Sequence, residues 1–189
     1  VDSRSVEGTF EITPPGYRKR EPLGLAEVSR AVGREVGFLF LEYIVWSKGR
    51  STNGPRSNRL PTAFESILRF AKSTQATFNA EALRSDFPQL VNNVWEIPPE
   101  SNALARSLGV DHTSIFPPEI PAACIALSTS RGDWILDPFG GLGTTALAGL
   151  RYHANTVLIE QNERYAHAAI RRLLTVPEDW RPEVFIIRT

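Results

Sequence analysis

The densest chemical signal in this 189-residue chain is Asp137-Pro-Phe-Gly-Gly-Leu-Gly-Thr-Thr145. It follows a short apolar strand, Trp134-Ile-Leu136, and opens a helix rich in Ala and Leu, Thr144–Leu150. Glycines at such a turn let a ligand approach the backbone closely. The helix that follows offers unpaired N–H groups and its positive dipole end to an anion. A second acid, Glu160, closes the next short strand, Thr156-Val-Leu-Ile159. A nucleoside triphosphate needs a lysine directly after the last glycine; Thr144 stands there, which excludes a P-loop. A dinucleotide is harder to dismiss, because Gly141-x-Gly143-x-x-Ala146 has the form G-x-G-x-x-G/A and Glu160 lies near the expected spacing. Asp137 and Phe139 nonetheless crowd the mouth of the turn, where a carboxylate repels a pyrophosphate and the ring obstructs it.

S-adenosylmethionine suits these residues better. It has no phosphate, presents an ammonium and a sulfonium for Asp137 to face, and carries a carboxylate for the helix N-terminus. Glu160 is placed to accept hydrogen bonds from both ribose hydroxyls. A plain capped turn with Glu160 on the surface is the other reading of the same residues.

The elements that position this turn follow from periodicity. Leu25, Val28, Val32 and Val36 recur at three- and four-residue steps, which predicts a helix over Leu23–Val36. Gly37 ends it, and the run Phe38–Trp46 reads as a buried strand. Residues 47–60 hold Gly, Ser, Asn and Pro with cations and no acid, an exposed basic loop. Ala63–Ala71 is helix or strand by periodicity alone, and residues 72–110 are polar and turn-rich without sustained period. A helix over Pro118–Ser128, the strand ending at Asp137, the helix after the glycines, the strand ending at Glu160, a helix through Tyr165 and Leu173, and a strand at Val184–Ile187 complete a parallel α/β pattern.

Composition is that of an ordinary globular protein, 42% hydrophobic and 22% charged, and no apolar run approaches the roughly 18 residues of a membrane span. The one cysteine, Cys124, has no internal disulfide partner and lies in an apolar stretch, so an inert buried thiol and a reducing, cytoplasmic location are expected. His112, His153 and His167 lack ligand spacing among themselves or with Cys124, and no metal is expected. Net charge is zero, yet between Tyr17 and Lys72 eleven basic residues face five acids, leaving +6 there and −6 elsewhere. Such polarity suits a phosphate-bearing partner. The absence of methionine and the start at Val1 are what a fragment or a processed chain would show.

The block His112-Thr-Ser-Ile-Phe-Pro-Pro-Glu119, then Ile125, then Gly132–Thr145, then Glu160-Gln-Asn-Glu-Arg-Tyr165 through Arg172 resembles a known family. These are the N4-cytosine and N6-adenine DNA methyltransferases of bacterial restriction–modification systems, in which the cofactor motif follows the catalytic motif. The resemblance runs from about Gly37 to Leu174 and is specific across 112–174. Earlier, Ile44-Val-Trp-Ser-Lys48, Glu65–Ser73 and Val94-Trp-Glu-Ile-Pro98 also resemble it. It implies a Rossmann-like α/β methyltransferase domain, with S-adenosylmethionine contacts at Phe116, Pro117, Asp137, Pro138, Phe139, Gly141, Gly143, Thr144 and Glu160. It assigns residues 112–189 to the cofactor-binding part and 72–110 to a variable target-recognition segment. Double-stranded DNA is the implied partner, and Lys48, Arg50, Arg56 and Arg59 of the basic loop are the expected contacts.

Two departures stand out. Leu142 occupies the middle of the glycine turn, where a smaller residue is usual, and is expected to tighten the pocket. The family's catalytic tetrad, Asp/Ser/Asn-Pro-Pro-aromatic, which holds the flipped base, has no good match. Thr13-Pro14-Pro15-Gly16-Tyr17 interposes a glycine and lies too close to the Phe38 strand. The chain therefore reads as one partial domain, 1–189, incomplete at its N-terminus. The two central strands and the catalytic residues would come from a missing N-terminal half or a separate chain, with Glu7–Ile12 as the tail of one strand. A sheet with that gap exposes the apolar flank of Trp134–Leu136. The isolated chain is accordingly expected to be marginally stable or to aggregate; a sharp cooperative melt above roughly 50 °C in calorimetry would contradict this.

Overall fold

A computed structural model of the chain describes residues 24–49, 60–101, 103–110, 115–177 and, for their backbone, 184–187. Helix α1 spans Leu25–Glu35 and leads into strand β1, Leu39–Ser47, which turns back as β2, Phe64–Ala71. Helix α2, Ala80–Asp86, and a 3-10 turn at Pro88–Leu90 precede β3, Val94–Glu96. Helices α3, Ala103–Ser107, and α4, Glu119–Ser128, lead to an alternating run: β4 Trp134–Asp137, α5 Thr144–Arg151, β5 Asn155–Ile159, α6 Glu163–Leu174 and β6 Val184–Ile187.

The strands form two three-stranded sheets, ordered β2-β1-β3 and β4-β5-β6. In the first, β1 and β2 are antiparallel, with Ser47 opposite Phe64, while β3 is parallel to β1, with Val45 opposite Val94. The second is wholly parallel, with Asp137 opposite Leu158 and Ile159 opposite Ile187. Parallel strands linked by helices leave their C-terminal ends on one rim, and that rim carries the glycine turn.

Helix α4 joins the two sheets. Its alanines Ala122, Ala123 and Ala126 are buried, and their small side chains admit Ile44 and Trp46 of β1, Leu83 and Phe87 of the α2 region, Trp95 of β3 and Ala148 of α5 into one core. Polar groups inside that core are satisfied: the Trp46 indole donates to the Ile97 carbonyl at 2.7 Å, and the Trp95 indole to the Asn92 carbonyl at 2.9 Å. Burial pushes the Cys124 thiol up to about 11, which keeps it neutral and unreactive.

Two expectations change. Residues 72–110 are not an unpatterned loop: the Asn79 side chain caps α2 by accepting from the Ala82 N–H at 2.9 Å, and Leu83, Phe87, Leu90 and Trp95 are core residues. The segment is legible only through its tertiary packing, because α2 is two turns long and β3 three residues. The run Phe38–Trp46 is buried on one side only; Ile44 and Trp46 face the core, while Phe38, Leu39 and Leu41 are exposed. Strand β4 is likewise one-sided. Ile135 packs inward, but Trp134 is 58% and Leu136 64% exposed, and among the described residues β4 pairs only with β5. The ambiguous Ala63–Ala71 is a strand, and the strand expected at Val184–Ile187 pairs with β5.

One core contact is imperfect. Thr156 on β5 is 0% exposed and its hydroxyl has no hydrogen-bond partner among the described residues. A Cβ on Gly149 of α5 would come within 2.6 Å of that hydroxyl, so only glycine lets the helix lie this close to β5. Thr156→Val keeps the shape and removes the unsatisfied oxygen. It should stabilise the chain by about 1 kcal/mol, raising the thermal midpoint by about 2–4 °C; an unchanged or lower midpoint in a melt of the variant argues against this assignment.

Candidate functional site

The turn between β4 and α5 is built by backbone conformations that need glycine. Gly141 has φ 51° and Gly143 has φ 74°, both in the left-handed region. The Gly140 N–H donates to the Ile159 carbonyl at 2.9 Å, tying the turn to the end of β5, and the Gly143 N–H closes back on the Gly140 carbonyl at 2.8 Å. A Cβ on Gly140 would lie 2.9 Å from the Leu158 Cβ, and one on Gly143 would lie 3.1 Å from the Ala169 Cβ of α6.

The two acids sit on either side of this turn. Asp137, ending β4, accepts from the Phe139 N–H at 2.9 Å and from the Thr145 hydroxyl at 2.6 Å. Glu160, just past β5, accepts from the Gly141 N–H at 2.8 Å and from the Asn162 N–H at 2.7 Å. Asn162 in turn caps α6 by accepting from the Arg164 and Tyr165 N–H groups. The sheet brings Asp137, Phe139, Gly141, Gly143 and Glu160 to one rim. A carboxylate has about four acceptor positions, so each acid retains capacity for a ligand. Phe139 is 86% exposed, leaving a bare aromatic face beside Pro138 at the open mouth. Phe116 is exposed and Pro117 buried, both just before α4.

Two residues behave differently from expectation. Leu142 does not narrow the pocket: it is buried against Ala105, Val110 and Ala168, so its side chain anchors the turn from behind. Thr144 is also buried, and its hydroxyl accepts from Arg172 at 3.2 Å; what it can offer a ligand is its backbone N–H. Residues missed in the sequence are Thr145, which braces Asp137, and Arg172, which donates to the Leu142 carbonyl at 2.6 Å. Thr145 stood inside the quoted motif and Arg172 at the end of the resembling block, but neither was assigned a role there.

Of the expected DNA contacts, Lys48 forms an ion pair with Glu65 and lies 4.8 Å from the centre of the Trp46 ring, so its charge is already engaged. Arg50, Arg56, Arg59 and His112 lie outside the described residues. Among the described residues no cluster of three or more His, Cys, Asp or Glu side chains is arranged to hold a metal, and no helix is long and apolar enough to cross a membrane.

Parallel strands that end on a glycine turn, an acid at its mouth and a second acid one strand over define a Rossmann-like nucleoside-binding α/β unit. Comparison with known proteins narrows this. A family model described as a DNA methylase, of the N6/N4 methyltransferase group, matches residues 12–171, and the chain belongs to that family. It is 30% identical to the type II methyltransferase M.XycI of Xanthomonas campestris pv. cyanopsidis over 165 residues, covering 85% of this chain and 53% of that protein. Among solved structures it resembles the cytosine-N4-specific PvuII DNA methyltransferase, with a TM-score of 0.68 at 21% identity over 87% of this chain and 66% of that one. It also resembles a DNA modification methylase of Thermus thermophilus complexed with S-adenosyl-L-methionine, with a TM-score of 0.60 at 26% identity over 87% of this chain and 64% of that one. The chain thus spans about half the length of the curated relative it matches.

The left-handed φ and the contact with Ala169 make Gly143 costly to replace. Gly143→Ala should destabilise the chain by about 1–2 kcal/mol from backbone strain alone, read as a lower urea midpoint. An unaltered midpoint would mean that the turn relaxes at no cost.

Proposed function

We propose that this chain is the S-adenosylmethionine-binding half of a cytoplasmic enzyme that methylates an exocyclic amino group, N4 of cytosine or N6 of adenine, in double-stranded DNA. The observation that carries the reading is the glycine turn flanked by Asp137 and Glu160 with Phe139 bare at its mouth. The donor set fits the ligand: acids for a cationic sulfonium, an ammonium and ribose hydroxyls, free amides at the start of α5 for a carboxylate, and an aromatic face for a planar ring. Bound there, S-adenosylmethionine would supply an electrophilic methyl group. The chain's own part is to hold and orient: Glu160 receives hydroxyls while keeping the Gly141 N–H, Asp137 faces positive charge, and Pro138, Phe139, Phe116 and Pro117 border the mouth. Positioning of this kind accounts for much of the rate in a direct transfer.

DNA phosphates would meet the cations of the basic loop, Arg50, Arg56 and Arg59, with Lys48 contributing less because Glu65 holds it. The exposed surface of residues 72–110 would carry target recognition, the buried remainder serving as core. The catalytic tetrad would come from another polypeptide segment, seated where the sheets stand open. Among the described residues β4 pairs only with β5 and β2 only with β1. A hollow of about 380 Å³, lined in part by Leu41, Ile67, Leu68, Phe70 and Leu127, lies between the first sheet and α4. Open strand edges beside an apolar hollow suit strand addition.

Calorimetric titration of S-adenosylmethionine into the purified chain should give micromolar binding that Asp137→Ala abolishes. A flat titration of a demonstrably folded sample would remove the cofactor reading. The chain alone should transfer no methyl group to DNA, and activity should appear on mixing with a polypeptide bearing the Pro-Pro-aromatic tetrad of a close relative. Methylation by the chain alone would overturn the half-enzyme reading.

A further inference from the structure

The glycine turn is gripped from the end of one strand and from one helix. Strand β5 holds Gly140 through the Ile159 carbonyl, Glu160 holds the Gly141 N–H, and Arg172 of α6 holds the carbonyl of Leu142. Arg172 Nη1 donates to that carbonyl at 2.6 Å and to Thr144 Oγ1 at 3.2 Å. Its two acceptors bracket Gly143, the left-handed residue from which α5 starts. A cation in the last turn of a helix ordinarily serves that helix's own carbonyls; this one reaches a different element. It is half-buried, and desolvation lowers its pKa while Glu100 acts in the opposite direction; a guanidinium nonetheless stays charged throughout the range in which proteins fold. Its neighbour Arg171 serves as an internal comparison, being exposed and bonded to the Leu108 carbonyl at 2.9 Å rather than to a residue of the turn.

We infer that Arg172 is a positioning residue for the cofactor turn, fixing the Leu142–Gly143 peptide so that the turn keeps its internal bonds and the first N–H groups of α5 point toward the ligand. Its charge also lies at the positive end of α5, where a ligand carboxylate would dock. This rests on the reading of the turn as the S-adenosylmethionine site, and Arg172 acts through the backbone without touching the ligand. A guanidinium suits the task because its donors are held in a rigid plane; an ammonium can reach the Leu142 carbonyl with less constraint.

Arg172→Gln, Arg172→Lys and Arg171→Gln separate positioning from bulk stability. Each is measured by S-adenosylmethionine titration, by the ligand-free urea midpoint and by amide hydrogen exchange at Gly141, Gly143 and Thr144. The expected result is about a tenfold weaker Kd for Arg172→Gln, the scale of one charge-assisted hydrogen bond. Exchange should quicken at the three amides, Arg172→Lys should recover most of both, and Arg171→Gln should match the parent. Parent-like affinity and exchange in Arg172→Gln would overturn the inference. So would a parallel fall of affinity and urea midpoint in both Arg172 variants, which would make the residue merely structural. Should the parent chain itself fail to bind, the cofactor reading falls, and the exchange comparison alone decides whether Arg172 sets the turn.

Discussion

The hydrogen bond from the Gly140 N–H to the Ile159 carbonyl is the constraint on which the rest of the site depends. It fastens the loop leaving β4 to the end of β5, and it exists only because nothing larger than hydrogen projects from Gly140 toward Leu158. Once that link is made, the parallel register sets Asp137 opposite Leu158, and Glu160 falls two residues further on, within reach of Gly141. Helix α5 must then start from Gly143, and α6 must come back across the turn with small residues facing it. Ala168 and Ala169 are there, both buried. The acids are thus placed by backbone geometry, which explains why so few side chains serve as determinants.

The parallel half of the fold was legible in the sequence because each of its elements carries a local signal. Glycines and an acid mark the end of β4, an acid marks the end of β5, Asn162 caps α6, and the intervening lengths are short. The first sheet was less legible. Ala63–Ala71 has an apolar pattern without a distinctive period, and β3 and α2 are too short to show one; both owe their conformation to Trp95, Leu90 and Leu83 packing under α4. In the site itself the acids and glycines could be named from spacing, since a turn confines its own residues. Arg172 could not, because it lies 30 residues from Leu142 in sequence and only the packing of α6 brings it back. Leu142 misled for the opposite reason: residue size suggests bulk in the pocket, whereas the left-handed glycines beside it turn the side chain into the core.

Helix α4 has the composition that its position demands. It touches both sheets, and a helix in such a place can bring neither long nor polar side chains to its contacts without holding the layers apart. The run Pro121-Ala-Ala-Cys-Ile-Ala-Leu127 meets that condition, with five of its apolar residues buried in the shared core and Cys124 partly so. The same helix borders the hollow below β2, so the surface open to another polypeptide and the core of this one are two sides of one element.

The acids and amides of the glycine turn are bonded to one another before any ligand arrives. A turn braced by its own bonds needs none from a ligand to hold its shape, so little affinity is spent on ordering it. The other side of that economy is quiet. A loop held in this way has little freedom to take a second geometry, and that limits what occupancy can pass through it to the β2-β1-β3 sheet. A change of shape on loading then has more room at the edge of β4, which among the described residues pairs only with β5, than in the turn, which acts as an anvil for what closes on it.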